Sequence, residues 1–137
     1  MKIALISQRI FKDKYNQIHF SLEDKWINFF KKKDIILIPV FSNQKNLDFY
    51  FKRFKPCCLI ISGGSNNIFK STYENILRRE IDLKLLKISI KNKIPILTVC
   101  YGFQYIVKLF SGTIFKSQNE IKKKHDIFIN QKKINVN

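Results

Sequence analysis

Apolar residues along this chain come alternately in short unbroken runs and in stripes at helical spacing. That alternation predicts most of its elements. Lys2–Ser7 (KIALIS) is an apolar run closed by polar residues, the pattern of a buried strand. Ser21 with Asp24 three residues on resembles a capping box in which Asp replaces the usual Glu. Leu22, Trp26, Phe29 and Phe30 follow it at helical spacing. Ile35–Val40 reads as a second buried strand, with Pro39 suiting its end, and Leu47, Tyr50, Phe51 and Phe54 as a short amphipathic helix. Pro56 precedes a third strand, Cys57–Ile61, and a loop over Ser62–Thr72 follows. Leu77, Ile81, Leu85 and Ile88 form one stripe of a longer helix. Pro95 opens a fourth strand, Ile96–Cys100, and Gly102–Phe110 reads as a helix with Phe103, Ile106, Val107 and Phe110 inward. After Gly112 the pattern changes, and His125–Asn130 with Lys132–Val136 predicts a β-hairpin.

Strands alternating with helices predict an α/β fold: a mostly parallel sheet with helices on both faces and the hairpin at the C-terminal end. Such sheets place ligands beyond the carboxyl ends of their strands, at the turns into the helices. No internal repeat or low-complexity linker interrupts the pattern, and 137 residues suit one domain over 1–137.

Charge changes the picture less than its size suggests. Lys and Arg total 26 against 10 Asp and Glu, a net charge of +16. A basic balance invites a nucleic-acid reading, but the Lys residues are spread along the chain, with runs at Lys31–Lys33 and Lys122–Lys124. Arg, which reads phosphates and guanine edges bidentately, is scarce. A solvated Lys surface is the simpler account, with a salt-sensitive attraction to polyanions as the remaining one. Specific nucleic-acid binding is not expected. No apolar run approaches a membrane span or a signal peptide, so no membrane partner is expected. Three Cys, two of them adjacent, make no disulfide framework, which points to a reducing cytoplasm. No Cys-x-x-Cys or His pair supports a metal, and no cofactor is expected.

The candidate chemistry follows the glycines, which all lie between residues 63 and 112. Gly63–Gly64 follows the third strand, and Gly102 sits just past the fourth, two residues after Cys100. Gly112 instead marks a helix C-terminus. Cys100 thus stands between a strand and a helix, the layout of a nucleophile elbow, where a strained turn projects the side chain over a helix N-terminus. A structural thiol buried at a strand end has the same spacing. The Gly63–Gly64 turn could present backbone N–H groups as an oxyanion hole, or be a tight turn and nothing more. Cys57 and Cys58, mid-strand, read as core packing, and His19 as a loop residue. The segment Gly64–Ser71 has P-loop spacing, but Phe69 stands at the second glycine position and blocks a wrap around phosphate.

The segment Ile94-Pro95-Ile96-Leu97-Thr98-Val99-Cys100-Tyr101-Gly102-Phe103-Gln104 resembles the class I glutamine amidotransferase superfamily. Within it, the resemblance is to the gamma-glutamyl-gamma-aminobutyrate hydrolase branch, and Ser111-Gly112-Thr113-Ile114 is similar to the Gly-Gly-Ser/Thr segment that closes the branch's motif. Ile60–Asn66 resembles the glycine-rich oxyanion strand, and Arg78-Arg79-Glu80-Ile81-Asp82 the branch's Arg-Asp-x-x-Glu helix start. Ile6-Ser7-Gln8-Arg9 is similar to an opening found in members linked to surface-sugar biosynthesis.

The resemblance implies a flavodoxin-like, doubly wound fold and hydrolysis of a gamma-glutamyl amide, with glutamine or a gamma-glutamyl amine as small-molecule substrate. It makes Cys100 the catalytic nucleophile that forms a gamma-glutamyl thioester, and the N–H groups of Gly64 and Tyr101 the oxyanion donors. Gly63 would allow the close approach, and Gln104 would sit near the substrate. A synthetase or biosynthetic enzyme would be the partner receiving ammonia.

Departures accompany it. Thr98 crowds the position before the elbow with a β-branched side chain, and Tyr101 replaces the branch's Arg. Val107 and Ser111 stand where the branch has Asn and Gly. The family's catalytic His and Glu lie in a Trp-His-Pro-Glu-like segment with no match here, and His125 matches a strand-opening His instead. The expectation is the N-terminal portion of the family domain, truncated at the C-terminus, with weak or absent turnover and with exposed apolar surface that favours self-association. Alternatives are a non-catalytic binding or vestigial domain and a basic polyanion-binding protein.

Overall fold

Ala4, Leu5, Ile6 and Ser7 are all buried, so the first apolar run is a strand with partners on both edges and layers on both faces. The computed structural model describes residues 2–31, 33–41, 47–64 and 66–115 and the backbone of His125–Ile129 and Lys132–Val136. Ser65, the run Lys122–Lys124 and the side chain of His125 lie outside the described residues.

Strand β1 (Lys2–Ser7) leads into an antiparallel hairpin, β2 (Arg9–Lys12) and β3 (Ile18–Ser21), followed by helix α1 (Asp24–Lys31) and strand β4 (Ile35–Pro39). Helix α2 (Leu47–Phe54), strand β5 (Cys58–Ile61), the long helix α3 (Tyr73–Lys91), strand β6 (Ile96–Thr98) and helix α4 (Tyr101–Leu109) come next. His125–Ile129 (β7) and Lys132–Val136 (β8) form the expected late hairpin. Four strands make one parallel sheet in the order β4-β1-β5-β6. Its register sets Leu5 opposite Leu59 and Ile6 opposite Ile60. Period-two alternation then sorts the core: Leu5, Leu59 and Ile61 pack with α2, α3 and α4, while Ala4, Ile6 and Ile60 pack with Phe30 and Trp26 of α1. Helices on both faces of a parallel sheet give the flavodoxin-like architecture that the family resemblance implies.

Several local expectations are corrected. Ser21 caps no helix: it ends β3, and its hydroxyl accepts a hydrogen bond from Arg9 Nε at 3.2 Å. The hairpin before it has no counterpart in the apolar pattern of the sequence. Its tip is tied by Asp13, whose carboxylate accepts the N–H groups of Tyr15 and Gln17 and contacts His19 Nε2 at 2.8 Å. His19 is therefore a strand residue with a partner, not a loop residue. Cys57 precedes β5 and is exposed, so it does not pack in the core; Cys58 is half-buried against the α1 side. Phe103 and Phe110 of α4, expected inward, are 60% and 71% exposed, and Tyr101 and Tyr105 fill the interior instead. The reason is steric: Gly102 lies on the strand side of the helix, which rotates Phe103 outward.

Gly112 closes α4 as expected, although the residue in the left-handed conformation is Ser111 (φ 60°). The N–H groups of Gly112 and Ser111 return to Val107 and Lys108, the double bond of a Schellman motif.

Candidate functional site

The winding of the sheet reverses at β1, because the chain passes from β4 on one side of it to β5 on the other. The carboxyl ends of β1, β5 and β6 therefore border the crevice where ligands of this architecture bind. Past β6 the ladder continues for one more bond, Val99 N–H to Ile61 O at 3.1 Å, and then the chain turns sharply. Cys100 sits at φ 50°, ψ −107°, and Gly102 N–H returns to Val99 O at 2.9 Å. These angles approach the first central position of a type II′ turn, which ordinarily requires glycine. A Cβ-bearing residue there carries a strain on the order of 1–3 kcal/mol.

The turn is held from both sides. Cys100 O accepts the N–H of Gln104 at 3.0 Å, so α4 is already under way. A Cβ on Gly102 would stand 2.8 Å from Ile61 Cγ2 and closer still to the Ile61 carbonyl, so only glycine lets the helix start this near β5.

Opposite the thiol lies the turn after β5. A Cβ on Gly63 would stand 3.2 Å from Cys100 Cβ, which places the two backbones in near contact. Gly64, at φ +129°, takes a conformation that other residues rarely adopt. Among the described residues, no hydrogen bond uses the Gly64 N–H. An open cleft of about 800 Å³ covers this ground, with Gly63, Gly64 and Cys100 at its base and Trp26, Phe29 and Leu97 along its apolar wall. Glu23 and Lys25 bring one charge of each sign to it.

Three of the five predicted site residues thus meet: Cys100, Gly63 and Gly64. Tyr101 and Gln104 do not line the cleft. The Tyr101 side chain is buried in the body of the molecule, and burial holds its phenol well above the usual tyrosine range, so it stays protonated. What Tyr101 offers the cleft is its backbone N–H, which as the first of α4 has no partner within the helix. Gln104 is half-buried one turn along. Cys57 and Cys58 lie at the amino end of β5, the opposite end of the sheet from Cys100. Burial, reinforced by Cys57 beside it, pushes the Cys58 thiol up to about 11, which keeps it protonated and poorly nucleophilic.

A second group is marked in the sequence only by the resemblance of Arg78–Asp82 to the branch's helix start. Asn75, Arg78, Asp82 and Ser89 of α3 are all buried, forming a polar stripe beside the apolar one. Arg78 Nη2 donates to Ser62 O at 2.6 Å and to Ser62 Oγ at 3.1 Å. Its Nη1 donates to Gly63 O at 3.1 Å and Asn66 Oδ1 at 3.0 Å, and its Nε to Asp82 Oδ2 at 3.4 Å. Asn66 in turn bonds both backbone groups of Ile10, which ties the glycine turn to the β2–β3 hairpin. Burial pushes the Asp82 carboxyl up to about 6, against the pull of the Arg78 charge. The resemblance places the Arg-Asp pair at a helix start; it lies instead in the second and third turns of α3.

Comparison with known proteins agrees with the geometry. Residues 10–136 match the family model described as glutamine amidotransferase class-I. The chain is 29% identical over 139 residues to the gamma-glutamyl-CDP-amidate hydrolase of Campylobacter jejuni, covering 97% of this chain and 66% of that protein. It is also similar to glutamine-hydrolysing GMP synthases. With that of Borrelia garinii the identity is 31% over 71% of this chain and 16% of the enzyme; with that of Helicobacter acinonychis it is 30% over 57% and 13%. The chain thus spans a little under two thirds of the first relative and a small part of the synthases. Among the described residues, no helix is long and apolar enough to cross a membrane.

Proposed function

Since the chain belongs to the class I glutamine amidotransferase family, we propose that Cys100 attacks the γ-carbonyl carbon of a γ-glutamyl amide. The sulfur forms the new bond and the carbonyl oxygen becomes an oxyanion, received by the N–H groups of Gly64 and Tyr101. The carbon–nitrogen bond then breaks, and ammonia or an amine leaves carrying a proton. Water cleaves the resulting thioester to glutamate and restores the thiol. The observation that supports this most is the backbone of Cys100, held at φ 50°, ψ −107° against a glycine turn that only a close approach requires.

Glutamine or a γ-glutamyl amine is the substrate class, and a synthetase or biosynthetic enzyme the receiver of the released nitrogen. The relatives support both, since one is a gamma-glutamyl-CDP-amidate hydrolase and others are glutamine-hydrolysing GMP synthases. The free state of all three cysteines supports a reducing, cytoplasmic setting. Slow or absent turnover by this chain alone is part of the same reading, supported by a cleft that no histidine lines among the described residues. A non-catalytic domain that retains the thiol and its turn is the second reading, on the same observation.

Ammonia release from glutamine and γ-glutamyl amines, assayed beside Cys100→Ser, separates the two. Release that the substitution abolishes supports the hydrolase; release equal in both proteins, or none from either, supports the non-catalytic domain.

A further inference from the structure

We infer that Arg78 is a positioning residue that aims the oxyanion donors at Cys100; the inference rests on the reading just proposed. The turn it serves is intrinsically loose. Two consecutive glycines have wide backbone freedom, and the peptide between Gly63 and Gly64 can rotate at little steric cost. In a trans peptide the carbonyl and the following N–H point in opposite directions. Whatever grips the Gly63 carbonyl therefore decides where the Gly64 N–H points.

Arg78 grips it. Its Nη1 holds Gly63 O at 3.1 Å and its Nη2 holds Ser62 O at 2.6 Å, so two successive peptides are pinned from behind. Arg78 is only 1% exposed and takes no part in the cleft, whereas Gly63 and Gly64 both line it. With the carbonyls drawn inward, the N–H of Gly64 is turned outward to the cleft that Cys100 shares. The guanidinium also lies over the Tyr101 ring at 4.1 Å, so the same side chain touches the peptide that carries one proposed donor and the residue that carries the other.

Its own position leaves little play. A guanidinium has five N–H donors, and here they meet five acceptors: two on Ser62, one each on Gly63, Asn66 and Asp82. Lysine could keep the charge beside Asp82 but could not span that fork.

The test compares Arg78→Lys and Arg79→Lys with the unaltered chain, each first shown to be folded by circular dichroism. With 15N-glycine labelling the four glycines give four amide signals. In Arg78→Lys the Gly63 and Gly64 signals should move or split while Gly112 stays, and Arg79→Lys, whose guanidinium holds the Ile68 and Lys70 carbonyls instead, should leave all four near their places. A second measurement uses a glutamine-derived chloroketone, whose carbonyl oxygen must enter the oxyanion site as the thiolate displaces chloride. Its rate on Cys100 should fall roughly ten- to hundredfold in Arg78→Lys, the scale of a misplacement near 1 Å, whereas alkylation by iodoacetamide should not change.

Unmoved Gly63 and Gly64 signals in folded Arg78→Lys would overturn the inference, as would an equal fall with both reagents. Moved signals in a protein whose unaltered form ignores the chloroketone would support the clamp and sink the γ-glutamyl reading instead.

Discussion

At Cys100 a side chain occupies backbone angles that favour glycine, and the strain is retained at the one position where a thiol is presented to a cleft. The strain has a measurable consequence. Cys100→Gly should be more stable than Cys100→Ala by about 1 kcal/mol or more in urea unfolding, even though glycine loses more chain entropy on folding. At an ordinary position the order would be reversed. This residue was legible in the sequence because its neighbours announce it: a strand before it, Gly102 after it and Gly63–Gly64 on the adjoining strand. Arg78 was not, because a charged residue on a helix is ordinarily solvated. What buries it is a set of acceptors 12 to 16 residues away that only the folded turn assembles.

Among the elements, the apolar runs mark the parallel strands within a residue or two, since β1 and β5 are buried on both faces and the edge strands β4 and β6 carry equally unbroken apolar runs. The β2–β3 hairpin is not legible in the sequence because its pattern is mixed and its turn depends on one side chain, Asp13, bonding three partners. Helix α4 is legible in its span but not in its orientation. Counting apolar residues put Phe103 inward, whereas the contact that orients the helix is the missing side chain of Gly102 against Ile61. It follows that Gly102→Ala should destabilise the chain by about 1–3 kcal/mol in urea unfolding, the usual cost of overpacking, and should slow modification of Cys100 as α4 is pushed off β5. An alanine tolerated at no cost would show that the helix does not rest on that strand.

For the whole molecule, the +16 charge proves less informative than four glycines and one turn. The fold and the family were legible because the order of strands, turns and motifs runs along nearly the entire chain, and the family match over residues 10–136 agrees. The acid–base partner of the thiol was not, and among the described residues the cleft holds no histidine. The chemistry therefore rests on one sulfur. Mass spectrometry can map which cysteine a glutamine-derived chloroketone modifies, with and without competing glutamine. Modification should fall on Cys100 and be slowed by glutamine, with Cys57 and Cys58 untouched. Modification at Cys57 instead, or at Cys100 with no protection by glutamine, would contradict this role for Cys100.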